Sequence, residues 1–242
     1  MYLDYRKNDH SANGEDGILE KLFSDLNITN GIVCEFGAWD GLEDSNTAML
    51  WTHGYQAVLI ENDKNRFEQL KQNTSKHDVE CINVAVQGGR KRGMKGIDPL
   101  TVDNPGGWDE AREKEDIDYC IDNILEKSKF NINSDNFALM SIDIDSYDYY
   151  VFASIEKYFP KVLILEVSSG YLPARDHISE NDGCSIKSAY ELGIEKGYKM
   201  VCHCGNVIFV RDDLVNKLPD YDYSIENLYQ TPDDLKKWEV GE

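Results

Sequence analysis

The segment Val33-Cys34-Glu35-Phe36-Gly37-Ala38-Trp39-Asp40-Gly41 decides the reading of this chain. The apolar run from Ile32 to Phe36 predicts a β-strand, and glycines at 37 and 41 predict a tight turn directly after it. A second apolar run, Ala57-Val58-Leu59-Ile60, ends on Glu61, twenty positions after Gly41. Strand, glycine turn, helix and acid-tipped strand together make a cradle for a nucleoside cofactor. Glycine lets the backbone approach the ligand, and the second acid is placed to hold ribose hydroxyls. The turn lacks the G-x-G-x-x-G spacing of a dinucleotide site, and an acid, Glu35, stands two residues before the first glycine. That variant suits S-adenosylmethionine (SAM), which has no pyrophosphate and offers an ammonium to a carboxylate.

Outward from this segment, apolar residues at helical spacing predict helices over 16–26, 48–51 and 185–196, another beginning at Arg66, and one marked by Ile117, Ile121, Ile124 and Leu125. Apolar runs predict further strands at 57–61, 81–86, 137–143, 161–167, 198–202 and 207–211. The last two are joined by Cys204-Gly205-Asn206, which favours an antiparallel pair. Alternation of strands and helices followed by a closing hairpin predicts an α/β fold: a mostly parallel seven-stranded sheet with an antiparallel last strand and helices on both faces. One domain spanning 1–242 is the simplest organisation, with polar loops at 87–108 and 172–183 on the substrate side. The acidic, Tyr-rich tail after Pro219 reads as surface structure.

Composition narrows the function classes. The chain has 242 residues, is 41% hydrophobic and 29% charged, and carries a formal net charge of −20. That charge argues against nucleic acid as a partner. No apolar run approaches the roughly 20 residues of a membrane helix, and the N-terminus lacks the apolar core of a signal peptide, so a cytoplasmic protein with no membrane partner is expected. The six cysteines are scattered and expected to be reduced. Cys202-His203-Cys204 has no second ligand cluster and reads as strand packing rather than a metal site.

In an open parallel sheet, ligands bind beyond the carboxyl ends of the strands. The residues expected there are 35–41, Glu61, 85–87, 143–148 and 166–169. Here the chain resembles a known family. Ser11-Ala12-Asn13-Gly14-Glu15-Asp16-Gly17-Ile18 is similar to the S-Q-x-G-E-D-G-I opening of one group of FkbM-like, SAM-dependent methyltransferases. Residues 35–41 followed by Ser45-Asn46-Thr47 resemble that group's glycine motif, and Ser141-Ile142-Asp143-Ile144-Asp145-Ser146-Tyr147-Asp148-Tyr149 resembles its S-I-D-I-D-G-x-D-Y. The resemblance runs in order over 11–210 and implies a Rossmann-like class I methyltransferase fold. On it, Glu35, Gly37, Ala38, Asp40, Gly41, Ser45, Asn46, Glu61, Asn62 and Ala85 are the expected cofactor-binding residues, with Asp143 beside the transferred methyl group.

Asp143 and Asp145, read as one strand face, together with Glu166 at the next strand end, form a carboxylate set suited to Mg²⁺ or Mn²⁺. The chain departs from the family pattern at Ser146, where glycine is usual, and at Ser168, where asparagine is frequent. Without a metal, Asp143 reads as a general base or a helix cap. Of the five histidines, His177 is the expected second catalytic residue, and Arg175 beside it is the expected contact to an anionic group of the substrate. Tyr147, Tyr149 and Tyr150 read as core or helix-face residues. The expected function is SAM-dependent O-methylation of a small polar acceptor: a sugar, a sugar-linked phosphate group or a natural-product hydroxyl. The alternatives are a non-catalytic SAM- or nucleotide-binding module within an assembly, and an NAD-dependent enzyme. Oligomeric state is not specified by the sequence.

Overall fold

The order of the strands is what places the site. The computed structural model describes residues 1–86, 119–145 and 147–239. Its strands are β1 (Ile32–Phe36), β2 (Gln56–Ile60), β3 (Val79–Ile82), β4 (Phe137–Ile142), β5 (Val162–Leu165), β6 (Ile178–Ser179), β7 (Gly183–Cys184), β8 (Tyr198–His203) and β9 (Val207–Arg211). Seven of them form one sheet in the order β3-β2-β1-β4-β5-β9-β8, while β6 and β7 pair as a separate small hairpin. β1 lies parallel to β2 and β4, and β4 is parallel to β5. β9 is antiparallel to both neighbours, β5 and β8. This is the mostly parallel sheet with one reversed strand that the sequence predicts.

The helices are α1 (Glu15–Leu26), α2 (Ala48–Thr52), α3 (Lys64–Thr74), α4 (Ile121–Glu126), α5 (Asp148–Ser154), α6 (Ile186–Glu195), α7 (Ile225–Leu228) and α8 (Pro232–Glu239). Every residue of β1 and β4 is buried, as expected of central parallel strands covered on both faces. Phe36, Leu59, Leu139 and Leu163 are within 1% of full burial, each contributing about 1.5–3 kcal/mol of apolar transfer. α3 starts where Asp63 accepts hydrogen bonds from the amides of Asn65 and Arg66, both at 2.9 Å. None of the described helices is long and apolar enough to cross a membrane.

Three expectations are corrected. β3 lies at Val79–Ile82 rather than 81–86. The sheet releases the chain early because the Asn83 side chain donates to the carbonyls of Glu61 (2.7 Å) and Asn62 (3.0 Å). The tail is not simply surface: Leu228 is fully buried, and Tyr229 stacks on His203 and donates to the Ser169 carbonyl at 2.8 Å. The 172–183 segment is not all loop, since it contains β6 and the start of β7. The expected loop at 87–108 and Ile117 lie outside the described residues.

Candidate active-site cleft

A cleft of about 740 Å³ opens at the carboxyl ends of the parallel strands. The sheet order sets the sequence of residues across it: Ala85 after β3, Glu61 and Asn62 after β2, Glu35 and Gly37 at the end of β1, Asp143 after β4 and Asn206 in the β8–β9 turn.

Gly37 is required by a close approach. Its φ is +64°, and a Cβ there would stand 2.5 Å from the Asp143 carbonyl oxygen. The turn thus brings the ends of β1 and β4 together. Glu35 is 3% exposed, and its carboxylate anchors the segment that follows the turn. It accepts from Ser45 Oγ (2.6 Å), Thr47 Oγ1 (2.7 Å) and the Asn46 amide (2.7 Å). The Asn46 side chain then donates to Ser141 Oγ on β4 at 3.0 Å. Burial pushes Glu35 up to about 7, against the three hydrogen bonds that favour its ionised form.

Glu61 is 6% exposed and ties the acid-tipped strand to the glycine turn. One oxygen accepts from the Trp39 amide at 2.9 Å and the other from the Asp63 amide at 2.6 Å. Trp39 has φ +48° and carries the Arg66 guanidinium over its ring at 3.6 Å. Both side chains line the cleft beside Asn62 and Ala85. The carboxylates lining the cleft are Glu35, Glu43, Asp44, Glu61, Asp143 and Asp145; among the described residues Arg66 is its one cationic lining residue.

Ala38, Asp40, Gly41 and Ser45 do not line the cleft. They shape it from behind. Asp40 caps the turn by accepting from the amides of Leu42 and Glu43, both at 2.9 Å, and the Gly41 amide donates to Ala38 O at 2.7 Å.

Asp143 and Glu166 face each other at the ends of β4 and β5. Burial, then the Asp143 charge, pushes Glu166 up to about 8. Burial also raises Asp143, while hydrogen bonds from Asn206 and Glu166 oppose that rise. Burial thus holds both carboxyls of this hydrogen-bonded pair above the ordinary carboxylate range. The expected metal set is not formed: among the described residues no group of three His, Cys, Asp or Glu is arranged to hold an ion. β4 ends at Ile142 and Asp145 has φ +56°, so strand alternation does not carry Asp145 onto the face of Asp143. Its backbone amide instead donates to Glu166 at 3.2 Å. Ser146 lies outside the described residues, and Ser168 donates to the Asp182 carbonyl.

A smaller cavity of about 190 Å³ adjoins, lined by Asp145, Asp148, Glu166, Ser168, Asn181 and Asp182 among others. Asp145 belongs to both walls. His177 lines neither space. It stacks on Tyr171 with ring centroids 4.3 Å apart and meets Asp182 at 3.0 Å, which helps hold the Asp182 carboxyl at about 2. Arg175 is exposed and lines neither space. Tyr149 and Tyr150 are core residues, whereas Tyr147 lines the main cleft. His203 is fully buried, accepts from the Gln230 amide at 3.0 Å, and is held neutral by burial.

Sequence reading missed the far wall of the cleft, made by Ala12, Asn13 and Asn206. The 11–18 motif was the available signal. Glu15 within it is fully buried and accepts from the Asn13 amide (2.8 Å), Asn13 Nδ2 (3.1 Å) and Asn206 Nδ2 (3.1 Å). Asp16 gathers the amides of Asp9, His10 and Ser11 within 2.8 Å and so folds the loop onto α1.

No protein-family model matches the chain, and no curated protein matches it. Among solved structures the chain is similar to a TehB-like SAM-dependent methyltransferase from Corynebacterium glutamicum, at 8% identity and a TM-score of 0.40 over 80% of this chain and 86% of that one. It is similar to a SAM-dependent methyltransferase from Clostridium acetobutylicum at 6% identity and 0.46, over 81% and 90%. A third, from Aquifex aeolicus, gives 9% identity and 0.40, over 79% and 86%.

Proposed function

We propose that the chain is a SAM-dependent O-methyltransferase of FkbM-like type, acting on a small polar acceptor. The observation that carries this reading is the charge of the cleft: six carboxylates and one arginine line it among the described residues, and the arginine is stacked on Trp39. SAM bears a sulfonium, an ammonium and a carboxylate, for a net charge of about +1 at neutral pH, and no phosphate. Such a ligand is attracted where a dinucleotide with two phosphates is repelled. The strand-end positions of Glu61 and Gly37 support the same orientation, with ribose hydroxyls at Glu61 and the methionine part passing the glycine turn.

In the reaction, an acceptor oxygen attacks the methyl carbon, the carbon–sulfur bond breaks, and the sulfonium leaves as a neutral thioether. The oxygen must also lose its proton. Asp143 lines the cleft and is the acceptor for that proton. The protein's remaining task is alignment of oxygen, methyl and sulfur. The acceptor enters from the Asp145 side, where the 172–183 segment walls the smaller cavity.

Titration of intrinsic fluorescence with SAM, and separately with NADH, tests the reading. Saturable binding of SAM without binding of NADH is expected. Binding of NADH alone would assign the cleft to a dinucleotide.

A further inference from the structure

The far wall of the cleft contains two asparagines whose orientation is fixed by one buried carboxylate. Glu15 is fully buried at the start of α1. Its Oε1 accepts from Asn13 Nδ2 and from Asn206 Nδ2, each at 3.1 Å. Turning either amide over would place a carbonyl oxygen against that carboxylate oxygen, so both nitrogens must face Glu15. Asn206 Nδ2 has a second acceptor in Asp143 Oδ2 at 3.4 Å, which engages both of its hydrogens. The two asparagines meet although 193 positions separate them. Gly205 allows this: its φ is +120°, and a Cβ there would stand 2.8 Å from Asn13 Cγ.

The consequence is a pair of outward-facing acceptors. Both asparagines line the cleft, and no hydrogen bond from the described residues reaches either Oδ1. Asn206 is 4% exposed, and its Oδ1 faces the cleft, where it accepts from water or from a donor on whatever occupies the space. The two carbonyl oxygens, in a cleft lined by Asp143 and five other carboxylates, present a site for a group that has several N–H donors and positive charge.

We propose that Asn13 and Asn206 form the subsite for the ammonium at the amino-acid end of the cofactor, with Glu15 as the residue that positions them. This rests on the SAM reading given above. The order of residues across the cleft agrees with it, since Glu61 lies on one side of Glu35 and Gly37, while Asn206 lies beyond Asp143 on the other.

The test compares two ligands that share the nucleoside and differ in the amino-acid tail: S-adenosylhomocysteine and 5′-methylthioadenosine, both measured by calorimetry. Asn206→Ala and Asn13→Ala are expected to weaken S-adenosylhomocysteine about tenfold each while leaving 5′-methylthioadenosine within about twofold, because only the former carries the charged donor. Equal losses for both ligands, or no loss for either, would overturn the assignment. A measurement on the wild type removes dependence on how the variants fold. The desamino analogue of S-adenosylhomocysteine should bind about tenfold more weakly than the parent, and equal affinity would overturn the subsite. Glu15→Gln should reproduce the selective loss, because an amide no longer dictates which way the asparagines face. Absence of wild-type binding to either nucleoside would instead remove the cofactor reading itself, so the two failures are distinct.

Discussion

At the β1–β2 side of the cleft, Glu35 and Glu61 are surrounded by donors; at the β4–β5 side, Asp143 and Glu166 face each other. Glu35 meets two hydroxyls and an amide, and Glu61 meets two backbone amides. These acids shape the backbone as well as line the cleft. Asp143 meets one neutral amide donor, Asn206, and is hydrogen-bonded with its acidic neighbour Glu166. The first arrangement suits a rigid cradle for a cofactor. The second sets two acids side by side at the strand ends, each raised above its ordinary range by burial.

The largest effect that tests this contrast is expected at the seam between the two sides. Gly37→Ala forces an alanine into φ +64° with its Cβ 2.5 Å from the Asp143 carbonyl. A loss of about 2–3 kcal/mol in urea unfolding is expected. A loss below about 0.5 kcal/mol would show that the two strand ends are not tightly joined.

Next is the pH dependence of Glu35. Its folded value of about 7 lies above the ordinary value of 4.5, so the native state binds the proton more tightly than the unfolded chain. The stabilisation is complete below pH 4.5 and is lost as pH rises through 7. Between pH 5 and 7 the loss from this group is on the order of 2 kcal/mol. Glu35→Gln should flatten that part of the stability profile relative to wild type. An unchanged slope would mean that Glu35 titrates normally.

On the other side, Asp143→Asn removes one of two facing acids. Thermal denaturation should show unchanged stability or a gain of up to about 1 kcal/mol, with methyl transfer abolished. A clear destabilisation would make Asp143 a structural anchor like Glu35. The smallest effect is expected for His177→Ala, which lies off the cleft: SAM affinity should stay within about twofold. A larger loss would place His177 in the binding machinery.

The same contrast explains what was legible in the sequence. Central parallel strands are buried on both faces, so Ile32–Phe36 and Phe137–Ile142 appear as unbroken apolar runs. The glycine turn is local, and its reading needs no distant partner. Other features require the assembled chain. The positive φ of Asp145 breaks the alternation on which the metal expectation rested. His177 is engaged by Tyr171 and Asp182 through a hairpin whose two-residue strands have too little sequence to announce themselves. The far wall joins Glu15 to Asn206 across 191 positions. Periodicity does not encode such a contact, although the 11–18 motif marked one half of it.

Glu61 is the anchor of the proposed SAM site. Calorimetric titration of SAM into wild type and Glu61→Gln tests this directly. One-to-one binding by the wild type is expected, with affinity weakened at least about tenfold in the variant, because the amide cannot serve both the Trp39 amide and the ribose hydroxyls as acceptor. No binding by folded wild type, or equal affinity in the two proteins, would contradict it.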